Sequence, residues 1–121
     1  GAITFASFTP FEESQPELNL YKRWLQQVAP GAAPTFFGLY AWSATKLFVE
    51  KSLTLGGKLT RAALAASVRS ERRWTADGLH SPMDVGANHA PSCLRFLQLR
   101  QGKWVPLKGS AYVCRGYSRA R

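Results

Sequence analysis

Residues 78–114 read GLHSPMDVGANHAPSCLRFLQLRQGKWVPLKGSAYVC, and this stretch decides the fold prediction. Between Leu94 and Arg100 apolar side chains alternate, imperfectly, with polar ones, as in a half-buried β-strand. Gln101-Gly102 is typical of a tight turn, and a second short apolar run follows it. The segment therefore predicts a loop that leads into a β-hairpin across residues 93–107.

A strand and a helical part are predicted upstream of this loop. Residues 1–11 contain a β-branched and aromatic run that is typical of a strand, and residues 16–73 form the helical part. Pro16 suits the first position of a helix, because its missing N–H would have no partner there. Pro30-Gly31 ends this first helix.

Two further helices are predicted in the helical part. Thr35 caps the second helix, which Gly56-Gly57 ends, and Thr60 caps a third that frays near Arg72-Arg73. From Phe36 to Ala44 the second helix is apolar almost all round, which predicts a buried helix rather than a surface one. The order is therefore strand, three helices, loop and hairpin.

The residues give little support for catalysis or for a metal site. His80 and His89, with Asp84 between them, do not have the spacing of known metal ligands, and we interpret both as loop histidines. The sequence contains neither a Gly-x-Ser-x-Gly motif nor a glycine-rich phosphate loop. We therefore predict no enzymatic activity, no catalytic residue, no metal and no cofactor.

The strong positive charge raises the question of nucleic acid. The chain has 121 residues and a net charge of +9, with eleven basic and three acidic residues in positions 61–121. The basic residues are scattered, and no recognition helix or aromatic RNA-binding pattern accompanies them. We therefore expect no nucleic-acid binding, although binding of another polyanion stays open as an alternative.

Several segments resemble those of one protein family and follow each other in the same order. From the N-terminus they are the strand at 3–11 that ends in Thr-Pro-Phe, the aromatic helix at 36–55, the short helix at 59–68, and the loop at 78–84 with the hairpin at 97–106. This combination resembles the closing part of the extracytoplasmic solute-binding proteins that serve branched-chain amino-acid (Leu/Ile/Val-binding) ABC transporters.

The resemblance implies a fold and a function. The fold would be α/β, with residues 1–121 a single segment from the C-terminal part of a two-lobed type I periplasmic-binding-protein fold. Residues 1–11 would be an inter-lobe crossover strand and residues 108–121 a C-terminal tail. The function would be binding of a small, amino-acid-like ligand and its delivery to an ABC transporter permease.

The resemblance also implies site residues and a location. An aromatic residue near Phe36 and Phe37 would line one side of the ligand cleft, whereas composition alone favours core positions for both. Cys93 and Cys114 would form a disulfide; two buried free thiols are the alternative. The protein would be periplasmic or extracellular, either free or lipid-anchored to the cytoplasmic membrane through a segment upstream of Gly1.

Two other expectations complete the sequence analysis. The same fold could serve as an extracytoplasmic ligand-sensing domain of a signalling receptor. The apolar second helix carries more apolar surface than the other predicted elements can cover. We therefore expect this segment either to self-associate or to belong to a longer chain.

Overall fold

A computed structural model of the chain describes residues 1–87, 91–107 and 112–114. The described part is a mixed α-helix and β-sheet structure with three helices and a four-stranded antiparallel sheet, which is compatible with the predicted α/β class. Its elements are β1 (Ile3–Ala6), α1 (Pro16–Val28), α2 (Phe36–Leu55), α3 (Arg61–Arg69), β2 (Cys93–Arg100), β3 (Lys103–Pro106) and β4 (Val113–Cys114).

The helices begin at the predicted residues, because each start has a local cap. Pro16 is the first residue of α1, and the Gln15 side chain before it accepts hydrogen bonds from two backbone N–H groups of the first turn. Thr35 Oγ1 accepts from the backbone N–H of Gly38 at 3.1 Å, and Thr60 caps α3 in the same way. The third helix ends at Arg69, earlier than predicted.

The sheet is built around β2, which has neighbours on both sides. On one side β1 pairs with it from Ile3↔Gln98 to Ala6↔Arg95, and on the other the hairpin strand β3 pairs with it. The hairpin turn is the predicted Gln101-Gly102 dipeptide, with φ of 50° and 75°. Positive φ at both central residues matches the twist of the flanking strands, as in a type I′ turn.

The loop before the hairpin lies inside the molecule. Ala76 and Leu79 belong to the hydrophobic core together with Leu18, Tyr21 and Leu39. The buried backbone of this loop is hydrogen-bonded to the segment that follows β1. The N–H of Ser81 donates to the Ser7 carbonyl at 2.7 Å, and the N–H of Thr9 donates to the Leu79 carbonyl at 2.8 Å. A segment whose sequence is typical of a surface turn therefore lies in the centre of the core.

The predicted burial of the second helix from Phe36 to Ala44 is wrong. Only Leu39, Ser43 and Leu47 are buried, which is one stripe at four-residue spacing, whereas Phe37 is 81% and Leu53 75% exposed. Tyr40 and Trp42 beside this stripe are half-buried against the core, and apolar side chains on the other side of the helix remain accessible. None of the described helices is long and apolar enough to cross a membrane.

Candidate functional site

Phe36 and Phe37 lie in the first turn of α2 and form an aromatic ridge on the surface. The Phe36 ring contacts the edge of Phe8, at 5.4 Å between centroids, and the ring of Tyr40, at 4.8 Å. Phe37 contacts Phe36 in an edge-on arrangement at 5.4 Å and projects into solvent. Phe36 is therefore held by its neighbours at 44% exposure, and Phe37 extends the apolar surface outward.

A buried polar network holds the ridge from behind. The Tyr40 ring stacks on the His80 imidazole at 5.2 Å, and the Tyr40 hydroxyl is hydrogen-bonded to Ser7 Oγ at 3.0 Å. His80 Nε2 lies 2.7 Å from Ser43 Oγ, and Trp74 Nε1 donates to the same oxygen at 2.8 Å. The base of the ridge is therefore fixed by α2, by the segment after β1 and by the buried loop.

The hydrogen bonds of this network determine the form of His80. Its Nδ1 lies 2.8 Å from the Ser81 carbonyl oxygen, which can only accept, so Nδ1 carries the proton. Nε2 then accepts from the Ser43 hydroxyl. Burial lowers the pKa of His80 and raises that of Tyr40, so both side chains are neutral at pH 7.

Ser43 and His80 are as close as a catalytic nucleophile and its general base, but their surroundings differ from those of such a pair. Ser43 is 3% and His80 1% exposed, so a substrate has no access to either. The second ring nitrogen of His80 faces a backbone carbonyl instead of a carboxylate. The pair therefore acts as a packing and hydrogen-bonding unit. No sequence pattern predicts this pair, because the two residues lie 37 positions apart.

Of the residues considered as metal ligands, His80 and Asp84 are bonded to other groups in the described structure. Asp84 accepts hydrogen bonds from Arg72, with the shorter at 2.9 Å, and this guanidinium lowers the pKa of the carboxyl. His80 bonds within the core, and His89 lies outside the described residues. Among residues 1–87, 91–107 and 112–114, no group of three potential ligands is placed to hold a metal ion.

The disulfide between Cys93 and Cys114 is present and joins the start of β2 to β4, where the two residues are direct cross-strand partners. Two positions along β2, the buried Arg95 forms an ion pair with Glu13, with Nη2 to Oε1 at 3.0 Å. The Tyr112 ring lies 5.2 Å below its guanidinium. The disulfide thus holds the β4 segment close to a buried charge.

Phe8, which contacts Phe36 of the ridge, also lines an open cavity. Its volume is about 450 Å³, and we call it the sheet cavity; it is lined by Thr4, Phe5, Ala6, Phe8, Pro10, Phe11, Glu12, Leu97 and Trp104. Phe36 and Phe37 are not among these residues. The structure therefore places the two predicted ligand contacts on a surface ridge and assigns the cavity to other side chains.

Comparison with protein-family models, with curated proteins and with solved structures finds no significant match to this chain.

Proposed function

We propose that the chain is part of a non-catalytic solute-binding protein with a type I periplasmic-binding-protein fold. It would bind a small, amino-acid-like ligand outside the cytoplasm and deliver it to an ABC transporter permease. The observation that carries this proposal is the ridge of Phe36 and Phe37, two aromatic rings held at the surface by the first turn of α2.

The ridge has the energetics of a binding surface. Burying a phenylalanine side chain contributes roughly 1.5–3 kcal/mol, and this is largely forgone while Phe37 is 81% exposed. A ligand or a facing lobe that covers the ring would recover part of it. Because Phe8 and Tyr40 already hold Phe36 in place, little ordering of the wall is needed on binding.

Two neighbouring strands support the two-lobed architecture. The chain enters the helical body through residues 7–15 after β1, and β2 follows the core loop. These strands lie side by side in antiparallel register from Ile3↔Gln98 to Ala6↔Arg95. Two strands that run side by side are suited to connect two lobes, because closure of the lobes around a ligand then requires few residues to change conformation.

The ridge supplies apolar contact but few groups that fix orientation. An amino-acid ligand also needs partners for its ammonium and carboxylate groups, and an aromatic wall offers neither. In our proposal these partners belong to a facing lobe outside the 121 residues, and Phe36 and Phe37 form one wall of the closed cleft. The chain alone should then bind leucine, isoleucine or valine with millimolar rather than micromolar affinity.

The test is a titration of the 121-residue chain with leucine, followed by aromatic nuclear magnetic resonance. We expect saturable shifts at the Phe36 and Phe37 rings with a dissociation constant on the order of 1 mM or weaker. Phe37→Ala should abolish them. Phe48→Ala removes another exposed ring of the same helix, 55% accessible, and should leave them unchanged.

Two results would contradict the proposal. One is the absence of shifts at these rings up to the solubility limit of leucine. The other is an equal response in Phe37→Ala and in the unaltered chain. A micromolar affinity would show that this segment carries more of the pocket than one wall.

A further inference from the structure

The sheet cavity is a second surface, separate from the ridge of Phe36 and Phe37. Its apolar lining includes the aromatic residues Phe8, Phe11 and Trp104, and the Phe8 and Phe11 rings are in contact at 5.8 Å between centroids. The one acidic residue that lines it is Glu12. An aromatic lining with a single carboxylate is a specific chemical combination, because both components attract a cation and neither attracts an anion.

Among the residues that the structure describes, Glu12 differs from the other acidic residues in its lack of an ion pair. The chain has seven acidic residues and sixteen basic ones. Six of the seven form ion pairs in the described structure: Glu13 with Arg95; Glu17, Glu50 and Asp77 with Lys46; Glu71 with Lys51; and Asp84 with Arg72. Within the described ranges, Glu12 alone has no such partner. In a chain of net charge +9, the one carboxylate without a basic partner among the described residues is therefore the one at this cavity.

The surroundings hold the Glu12 carboxylate without neutralising it. Its Oε1 accepts a hydrogen bond from the backbone N–H of Trp104 at 3.3 Å, which ties the side chain to β3. The ammonium of Lys22 donates to the backbone carbonyl of Phe11. The charge of the adjacent Glu13 is taken up by Arg95. Among the described residues, no basic side chain therefore pairs with the Glu12 carboxylate beside the aromatic lining.

We propose that the sheet cavity binds a small organic cation, with an apolar or aromatic body and an ammonium head that carries no carboxylate of its own. The body would contact Phe8, Phe11 and Trp104, and the head would lie against Glu12. A zwitterionic amino acid fits less well, because its carboxylate would meet the same negative charge. The positive net charge of the chain opposes binding only weakly, since salt screens it over about 8 Å.

Calorimetric titration of the 121-residue chain with benzyltrimethylammonium tests this proposal. Benzyl alcohol is the neutral comparison, and phenylacetate is the anionic one. We expect saturable binding of the cation with at least about tenfold higher affinity than either comparison compound, which corresponds to ~1.4 kcal/mol. Glu12→Gln keeps an acceptor for the Trp104 N–H and should lower the affinity for the cation about tenfold. It should leave the affinity for benzyl alcohol unchanged.

Glu50→Gln is the matched control, because it removes a carboxylate that is paired with Lys46 away from the cavity. It should bind the cation as the unaltered chain does. Equal affinity for the cation and benzyl alcohol would overturn the proposal, as would equal cation binding by Glu12→Gln and the unaltered chain. Absence of saturable binding up to about 10 mM would overturn it as well. None of these outcomes bears on the ridge, so failure here leaves the proposed function to its own test.

Discussion

His80 shows how one buried residue can organise several segments at once. Its imidazole bonds to Ser43 on α2 and to the backbone of the buried loop, and it stacks on Tyr40, which supports the ridge. Of these contacts, the bond in which Nε2 accepts from the Ser43 hydroxyl requires the neutral ring. Burial is the main cause that lowers its pKa, so protonation would place an uncompensated charge in the core.

This burial predicts a pH dependence of stability. Because the folded-state pKa of His80 lies below the unfolded value of 6.5, the unfolded chain binds the proton more readily. The contribution of His80 to the free energy of unfolding is then fully present above about pH 6.5. It decreases as the pH falls below this value, and the free energy of unfolding is lower by up to about 1.4 kcal/mol at pH 5.5. Urea unfolding at pH 7.5 and 5.5 measures this difference.

Two histidine variants show which histidine causes the pH dependence of stability. His80→Gln should be less stable at pH 7.5 and should lose less of its remaining stability on acidification. His89→Gln changes the other histidine of the chain and should retain the full pH dependence. If His89→Gln removes that dependence instead, the assignment to His80 is wrong.

At the scale of single elements, the sequence predicts best where the signal is local. Thr35 and Thr60 cap helices within three residues of themselves, and Gln101-Gly102 makes its turn without help from distant residues. The burial of α2 failed as a prediction, because an all-apolar helix face shows what could be buried and not whether another layer covers it. The burial of the core loop was not predicted at all, since its partners Ser7 and Thr9 lie about 70 residues away in sequence.

The hairpin turn offers a local route to higher stability. Gln101 is exposed and has a φ of 50°, a conformation that Asn adopts more readily than Gln. Gln101→Asn should therefore raise the free energy of unfolding by on the order of 0.5–1 kcal/mol. Gln101→Val is the matched opposite change, because a β-branched side chain is disfavoured at positive φ. A thermal melt in which Val matches or exceeds Asn would contradict this account of the turn.

The disulfide makes β4 part of the sheet. Titration of denatured, unreduced protein should find no free thiol, since Cys93 and Cys114 are the only cysteines and are bonded to each other. Reduction should lower the free energy of unfolding by about 3 kcal/mol, because the bridge restricts the unfolded chain. The double variant Cys93→Ser/Cys114→Ser should be equally unstable with and without reductant. Two free thiols in unreduced protein would sink this prediction.

At the scale of the whole molecule, two apolar surfaces stand out. One is the outer face of the sheet, where Phe5 and Phe96 are direct cross-strand partners and are 63% and 52% exposed. The other is the uncovered side of α2, with Phe48 and Leu53. Surfaces of this kind normally contact another protein surface. The sequence predicts a surplus of apolar surface on α2. It does not predict the exposed face of the sheet, because exposure depends on which elements pack together.

These surfaces predict that the 121-residue chain self-associates in solution. Two copies could cover each other's α2 face, and the free edge of β1 could pair with a strand of a second copy. Light scattering after size exclusion should give a mass above 13.4 kDa that rises with concentration, once intact-mass spectrometry has confirmed the mass of the chain.

Two variants locate the contact between the copies. Phe48→Glu/Leu53→Glu should lower the association if α2 forms the contact, and Phe96→Glu should lower it if the sheet does. A monomer of 13.4 kDa with a cooperative thermal transition would show that both faces are tolerated in water, and self-association would then be wrong.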